Sequence, residues 1–96
     1  MKYTVIFSTK SKNSINETAD YLLEEWSEKV VAKFFYDIAK SVKQLETMPF
    51  MFPSSNMRIG IRRCVVNKNT VLFYRINEEM IEIVDVKNAR QNLDNN

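Results

Sequence analysis

The sequence predicts a single α+β domain over residues 1–96, with elements in the order β-α-α-β-β-β. Two observations lead to this prediction. Apolar residues repeat with the spacing of amphipathic helices between about residues 14 and 46, and runs rich in β-branched and aromatic residues flank that region. Short turns between the last three runs indicate an antiparallel meander, so we expect an N-terminal strand and a helical hairpin packed on an antiparallel sheet.

The overall composition is that of one globular domain. A chain of 96 residues has room for one core, and 45% hydrophobic and 27% charged residues lie far from the composition of disordered chains. We expect the Asn-rich tail, residues 91–96, to be flexible.

The opening strand is predicted over residues 2–8, which end at a polar cluster. A first helix is predicted from about Ser14, because apolar residues then fall at i, i+4, i+7, i+8 and i+11, from Ile15 to Trp26. This stripe predicts that Trp26 packs in the core.

A second helix is predicted to begin after Ser27, a residue type that caps helix N-termini, with Glu28 in the first turn. Helical spacing continues to about Glu46. The apolar connector that follows, residues 48–53, contains two prolines and cannot continue the helix. We expect it to pack under the helices.

Three strand-like runs complete the chain, over residues 58–66, 70–76 and 80–87. Turn sequences at residues 67–69 and 77–79 separate them. These short connections predict the meander.

Several classes of protein are disfavoured. No apolar run approaches the roughly 20 residues that cross a bilayer, and the N-terminus lacks the pattern of a secretory signal, so we expect a cytoplasmic protein without membrane contact. The chain has one cysteine, Cys64, and no histidine, which disfavours a conventional zinc site and a Cys-His nucleophile pair. We expect no metal site and no cofactor. Cys64 is predicted to be a small buried hydrophobe.

Charge is unevenly distributed, although the net charge is only +2. No acidic residue occurs between Glu46 and Glu78, and that stretch holds Arg58, Arg62, Arg63, Lys68 and Arg75. This half of the chain is therefore the predicted binding region for phosphate or another anionic target.

Several local patterns occur in an order and spacing that resemble the RelE/ParE toxin superfamily, most closely its ParE-like branch. They are Tyr21-Leu-Leu-Glu-Glu-Trp26, Ala32-Lys-Phe-Phe35, Leu45-Glu-Thr-Met-Pro49, Gly60-Ile-Arg62, Leu72-Phe-Tyr-Arg-Ile76, Ile81-Glu-Ile-Val84 and Ala89-Arg-Gln91. The resemblance implies the toxin of a type II toxin–antitoxin system, with roles in growth inhibition and plasmid stabilisation. It also implies a cognate antitoxin as partner. The toxin would then form a hetero-oligomer with the antitoxin, or a homodimer.

The resemblance leaves the target open. RelE-like members cut mRNA on the ribosome, whereas ParE-like members poison DNA gyrase. In RelE-like enzymes the sheet supplies cations and proton-transfer groups, and the middle-strand Arg and the late His of such enzymes correspond here to Val71 and Asn88. The catalytic set is therefore incomplete, and whether the chain is an enzyme stays open.

The candidate site residues follow from this comparison. The candidates for an RNA-cleaving site are Arg63, Lys68, Tyr74, Arg75 and Arg90, and those for binding phosphate or the target are Arg62, Arg63, Arg75, Lys87 and Arg90. Arg63 and Arg75 could instead face solvent or pair with carboxylates such as Glu82 and Asp85. Tyr74 is more typical of a core aromatic, and strand alternation places Arg62 and Arg63 on opposite faces, one shielded and one exposed.

Three functions remain open at this stage. The first is a ParE-like toxin that binds a large target, and the second is a ribosome-dependent endoribonuclease. The third is a relative that binds an antitoxin or nucleic acid and inhibits nothing. Exposed parts of the segment from Met48 to Met57 and the edge of the meander are the predicted docking surfaces for an antitoxin.

Overall fold

The computed structural model describes residues 2–55 and 59–89. Its elements follow the predicted order and are β1 (Thr4–Phe7), α1 (Thr9–Glu25), α2 (Glu28–Thr47), β2 (Arg62–Asn67), β3 (Thr70–Asn77) and β4 (Met80–Asn88). The predicted α+β class is confirmed. The tail that we expected to be flexible lies outside the described residues.

The four strands form one sheet in the order β1-β4-β3-β2. The last three strands are the predicted antiparallel meander, with β3 between β2 and β4. β1 pairs with β4 in parallel, with Val5 beside Ile81. A parallel neighbour requires a crossover connection, and here the helical hairpin lies within that connection.

One core lies between the hairpin and one face of the sheet. Its buried members from the helices are Leu22, Phe34, Ile38 and Leu45, and those from the sheet are Cys64, Leu72, Tyr74, Ile81, Ile83 and Val86. Burial of Cys64 is as predicted. We call this side of the sheet the helix side.

The first helix differs from the prediction at both ends. α1 begins at Thr9 and not near Ser14, because the Ser8 hydroxyl accepts a hydrogen bond from the Ser11 backbone N–H at 3.0 Å and caps the helix. Residues 9–14 are all polar, so the apolar spacing that predicts a helix becomes visible only after them. Trp26 is 56% exposed, so its predicted core position is wrong. It lies at the C-cap of α1, where the chain turns towards α2.

The second helix begins as predicted, with the Ser27 hydroxyl accepting from the Val30 N–H at 3.2 Å. β2 begins at Arg62, later than the predicted residue 58; residues 56–58 lie outside the described part, and Ile59 and Gly60 form a turn. Gly60 has φ +83°, a conformation that favours glycine. Among the described residues, neither helix is long and apolar enough to span a membrane.

Candidate functional site

Strand alternation divides the candidate residues between the two sides of the sheet. Arg63 lies opposite Phe73 on β3, and Lys87 lies opposite Val71. These residues and Arg75 alternate with the buried Cys64, Leu72 and Tyr74, so their side chains lie on the side away from the helices. We call this side, defined by Arg63, Val71, Phe73, Arg75 and Lys87, the open face.

Arg75 is partly neutralised on the open face. Its Nε lies 2.7 Å from Oε1 of Glu82, the residue beside it on β4. The Arg75 side chain is 58% exposed, and an exposed ion pair of this kind contributes only about 0–1 kcal/mol. The sequence left two alternatives for Arg63 and Arg75, which were pairing with a carboxylate and facing solvent. Arg75 pairs with a carboxylate, whereas Arg63 is exposed and faces solvent.

A shallow cleft of about 180 Å³ lies on the open face beside Lys87. Ile61, Phe73 and Val84 are among its lining residues, as are Lys10, Ser55, Asp85 and Lys87. Asp85 accepts a hydrogen bond from the Ser14 hydroxyl at 3.0 Å, and its other oxygen lies 3.7 Å from Lys10 Nζ. Lys10 could not be predicted from the sequence, because its contact with Asp85 joins residues that lie far apart in the chain.

Arg62 is on the helix side and is half-buried. Its Nη1 donates to the carbonyl oxygen of Phe52 at 2.6 Å, and the guanidinium carbon lies 5.1 Å from the centroid of the Phe50 ring. The predicted division into a shielded and an exposed arginine is confirmed, with Arg62 shielded. In this structure Arg62 contacts the connector and lies apart from Arg63 and Arg75.

Tyr74 is fully buried on the helix side, as expected for a core aromatic. Its hydroxyl donates to the carbonyl oxygen of Pro49 at 2.6 Å. Burial raises the pKa of Tyr74 to about 12; Arg62 opposes this rise and Cys64 adds to it. The hydroxyl is therefore protonated at neutral pH and does not reach the open face.

The remaining candidates do not complete a catalytic set. Lys68 lies in the turn between β2 and β3, roughly 16 Å along the strand from Arg63 at about 3.3 Å per residue. Val71 occupies the open face without a charge, and Asn88 is buried on the helix side, where its amide donates to the Thr70 hydroxyl at 2.9 Å. Arg90 lies outside the described residues.

Cys64 has no features of a nucleophile in this position. It is fully buried, and burial raises the pKa of its thiol, while a hydrogen bond with Ser41 opposes that shift. Within residues 2–55 and 59–89, no group of three or more metal-ligating Cys, Asp or Glu side chains comes together.

An apolar groove of about 470 Å³ lies along β1, α1 and α2. Its lining residues are Phe7, Lys12, Ile15, Phe35, Ile38, Ala39 and Val42. Phe35 is 44% exposed although the neighbouring Phe34 is in the core. Adjacent helical residues point about 100° apart, so only one of the two phenylalanines can point directly at the sheet.

The sequence of this chain matches one known protein family over most of its length. The family described as the ParE toxin of type II toxin–antitoxin system, parDE, matches residues 5–93. The chain belongs to the ParE toxin family. The match runs from β1 past the end of β4, so the family resemblance seen in the local patterns extends over nearly the whole chain. No curated protein shows significant sequence similarity to this ParE family member.

Solved structures share the fold of this ParE family member. A chain from the chromosomal ParDE system of P. aeruginosa superposes with a TM-score of 0.77 at 15% identity, covering 91% of this chain and 96% of that one. A chain from the RelBE2 toxin–antitoxin complex of Mycobacterium tuberculosis gives a TM-score of 0.64 at 17% identity, covering 92% and 99%. A chain from the E. coli DinJ-YafQ toxin–antitoxin complex gives 0.62 at 8% identity, covering 95% and 97%. At such identities the similarity concerns the fold, and one fold carries different sites in different proteins.

Proposed function

We propose that this chain is a growth-inhibiting toxin that binds a large cellular target, with DNA gyrase as the first candidate, and that it does not cut RNA. The position of Tyr74 carries this proposal. Cleavage next to a ribose 2′-hydroxyl requires proton transfer beside the cations that stabilise the developing charge. The Tyr74 hydroxyl is bonded to Pro49 on the helix side, whereas Arg63, Arg75 and Lys87 lie on the open face.

The other groups on the open face are poor substitutes for a general base. Lysine and arginine are protonated at neutral pH and accept no proton. The two carboxylates are each engaged, Glu82 with Arg75 at 2.7 Å and Asp85 with the Ser14 hydroxyl at 3.0 Å. These contacts favour a surface that binds over a surface that catalyses.

The proposed function includes neutralisation by an antitoxin. Family membership supports this partner, and the ParDE, RelBE2 and DinJ-YafQ neighbours belong to toxin–antitoxin systems or complexes. We propose that the antitoxin lays an amphipathic segment into the groove that includes Ile15, Phe35 and Ala39. The groove is shallow and apolar, and Lys12 among its lining residues favours a segment that carries acidic side chains.

A ribosome-dependent endoribonuclease is the second candidate. Lys10 and Lys87 line the cleft on the open face, Arg63 lies on the same face, and cations that share one face suit a polyanion. In that function Arg63, Arg75 and Arg90 contact phosphate, Lys68 donates a proton to the leaving oxygen, and the proton of the ribose 2′-hydroxyl passes to water.

Induction of the chain in cells without the antitoxin separates these functions. We expect growth arrest, DNA breaks trapped with gyrase and no mRNA cuts in primer extension. Codon-positioned mRNA cuts would establish the endoribonuclease instead. Normal growth with soluble protein would favour the third reading, a relative that binds an antitoxin or nucleic acid without inhibiting growth.

A further inference from the structure

The connector between α2 and β2 exposes three large apolar side chains within four residues. Met48, Phe50 and Met51 are 51%, 61% and 53% exposed. Isolated exposed hydrophobic residues are common on protein surfaces, but clustered ones mark sites of interaction. We call these three residues the connector patch.

The backbone beneath the connector patch is held by residues of the sheet. The Tyr74 hydroxyl and Arg62 Nη1 donate to the carbonyl oxygens of Pro49 and Phe52, both at 2.6 Å. The Phe52 ring meets the Tyr74 ring edge to face, with centroids 6.5 Å apart. Pro49 and Phe52 therefore anchor the connector, while the residues between and before them point outwards.

Further backbone hydrogen bonds fix the end of the connector. The Arg63 N–H donates to the Pro53 carbonyl at 2.9 Å, and the Ser55 N–H donates to the Ile61 carbonyl at 2.6 Å. A loop that is already ordered loses little conformational entropy when it binds, so its exposed side chains are efficient contacts.

Two cationic residues lie beside the connector patch, and one acidic residue, Glu46, lies two positions before Met48. The Arg62 guanidinium lies 5.1 Å from the Phe50 ring centroid, and the exposed Lys2 precedes Tyr3, whose ring meets Phe50 edge to face at 6.4 Å. The sequence contains no acidic residue from 47 to 77. A complementary surface would therefore be apolar and bordered by carboxylates.

We propose that the connector patch is the surface with which this toxin binds its protein target, which offers an apolar pocket bordered by acidic side chains. This inference rests on the proposed function of binding a large cellular target. Protruding methionine and phenylalanine side chains suit insertion into a pocket of a folded protein, whereas the shallow apolar groove suits an amphipathic segment of the antitoxin. The patch and the groove share no residue.

Proximity explains how one partner would exclude the other. The groove extends to Val42 on α2, and the connector patch begins at Met48. Six helical residues span roughly 9 Å, so an antitoxin in the groove would lie close enough to obstruct a large target at the patch.

The test compares growth arrest by the wild-type chain with that by Phe50→Ser and Met51→Ser. Each substitution is expected to raise the inducer concentration needed for arrest about tenfold or more, as for loss of a binding hot spot. Tyr36→Ser is the matched control, because Tyr36 is 66% exposed on α2 and belongs to neither surface. Thermal melting within a few degrees of wild type shows that each variant folds, and Met51→Ser leaves the Arg62 stacking on Phe50 intact.

The outcomes separate this inference from the proposed function. Growth arrest by Phe50→Ser and Met51→Ser at the wild-type inducer level would overturn the inference alone. Variants that still arrest growth but no longer co-purify with co-expressed antitoxin would assign the patch to the antitoxin, which also overturns it. A wild-type chain that arrests no growth would remove the proposed function and this inference together.

Discussion

The hydroxyl of Tyr74 on β3 donates to the carbonyl oxygen of Pro49 at 2.6 Å, joining the middle of the sheet to the chain just after α2. Both residues are buried, and so is the hydrogen bond that joins them. The contact makes Tyr74 a structural residue in this fold, although its Tyr-Arg sequence context suggested a catalytic candidate.

Replacement of Tyr74 by Phe should therefore reduce stability and leave growth arrest intact. Loss of the hydroxyl leaves the buried Pro49 carbonyl unsatisfied, which costs about 1–3 kcal/mol. Urea denaturation measures the change, and induction in cells without antitoxin measures the toxicity. Tyr36→Phe, which alters an exposed hydroxyl on α2, is the control. A folded Tyr74→Phe protein that no longer arrests growth would assign the hydroxyl a direct role in toxicity.

Stability should also fall at high pH through Tyr74. Burial raises its pKa to about 12 in the folded state, above the ordinary value of 10.0. The folded state thus favours the neutral phenol. The contribution of the neutral phenol to the free energy of unfolding is fully present below pH 10 and is lost as the pH rises from 10 to 12. Its upper limit is about 2–3 kcal/mol at 1.36 kcal/mol per pKa unit.

The difference in stability between the wild type and Tyr74→Phe isolates the effect of Tyr74 ionisation, because all other ionisable groups are present in both proteins. Urea midpoints measured at intervals from pH 9 to pH 12 should fall more steeply for wild type. Parallel curves would show that Tyr74 ionises without a penalty in the folded state.

Alternation along β2 could be read from the sequence, and it correctly separated Arg62 from Arg63. Which of the two is shielded depends on the side that the helices cover, and the buried Cys64 and Tyr74 decide that side. The Arg62 contact with Phe52 could not be predicted, because it depends on the path of the connector. Helical periodicity alone likewise placed Trp26 in the core, because periodicity does not show that α1 ends just before this residue.

The parallel pairing of β1 with β4 also could not be predicted from the sequence. It joins the two ends of the chain, and no local turn signal reports such a contact. The lining of the groove and the Lys10 contact with Asp85 depend on this pairing, since α1 leaves β1 beside β4. Local signals predicted the elements, whereas these long-range contacts place the binding surfaces.

Glu82 should limit the affinity of the open face for polyanions. Glu82→Gln removes the carboxylate that lies 2.7 Å from Arg75 Nε, so we expect elution from a heparin column at higher salt. Glu24→Gln on the exposed part of α1 changes the net charge equally and should shift elution less. Arg63→Glu should elute at lower salt. Equal shifts for Glu82→Gln and Glu24→Gln would show that only total charge matters.

Ser27 should stabilise the hairpin through its cap on α2. Its hydroxyl accepts from the Val30 N–H at 3.2 Å, and loss of such a cap typically costs about 1 kcal/mol. We expect Ser27→Ala to lower the free energy of unfolding by that amount in urea denaturation. Ser27→Asp should retain most of the stability, because aspartate caps equally well. Equal losses in the two variants would mean that the cap contributes nothing.

A charge in the groove should separate antitoxin binding from toxicity. Ala39 is exposed in the apolar lining beside Phe35, and Ala39→Asp would bury an unpaired carboxylate under an apolar segment of the antitoxin. We expect at least a tenfold loss of antitoxin affinity in a binding titration, while growth arrest without antitoxin stays at the wild-type level. Asn13→Asp adds the same charge at an exposed position of α1 outside the groove and should bind antitoxin normally. Unchanged antitoxin affinity in Ala39→Asp would place the antitoxin elsewhere, and a joint loss of affinity and arrest would indicate that both partners use the groove.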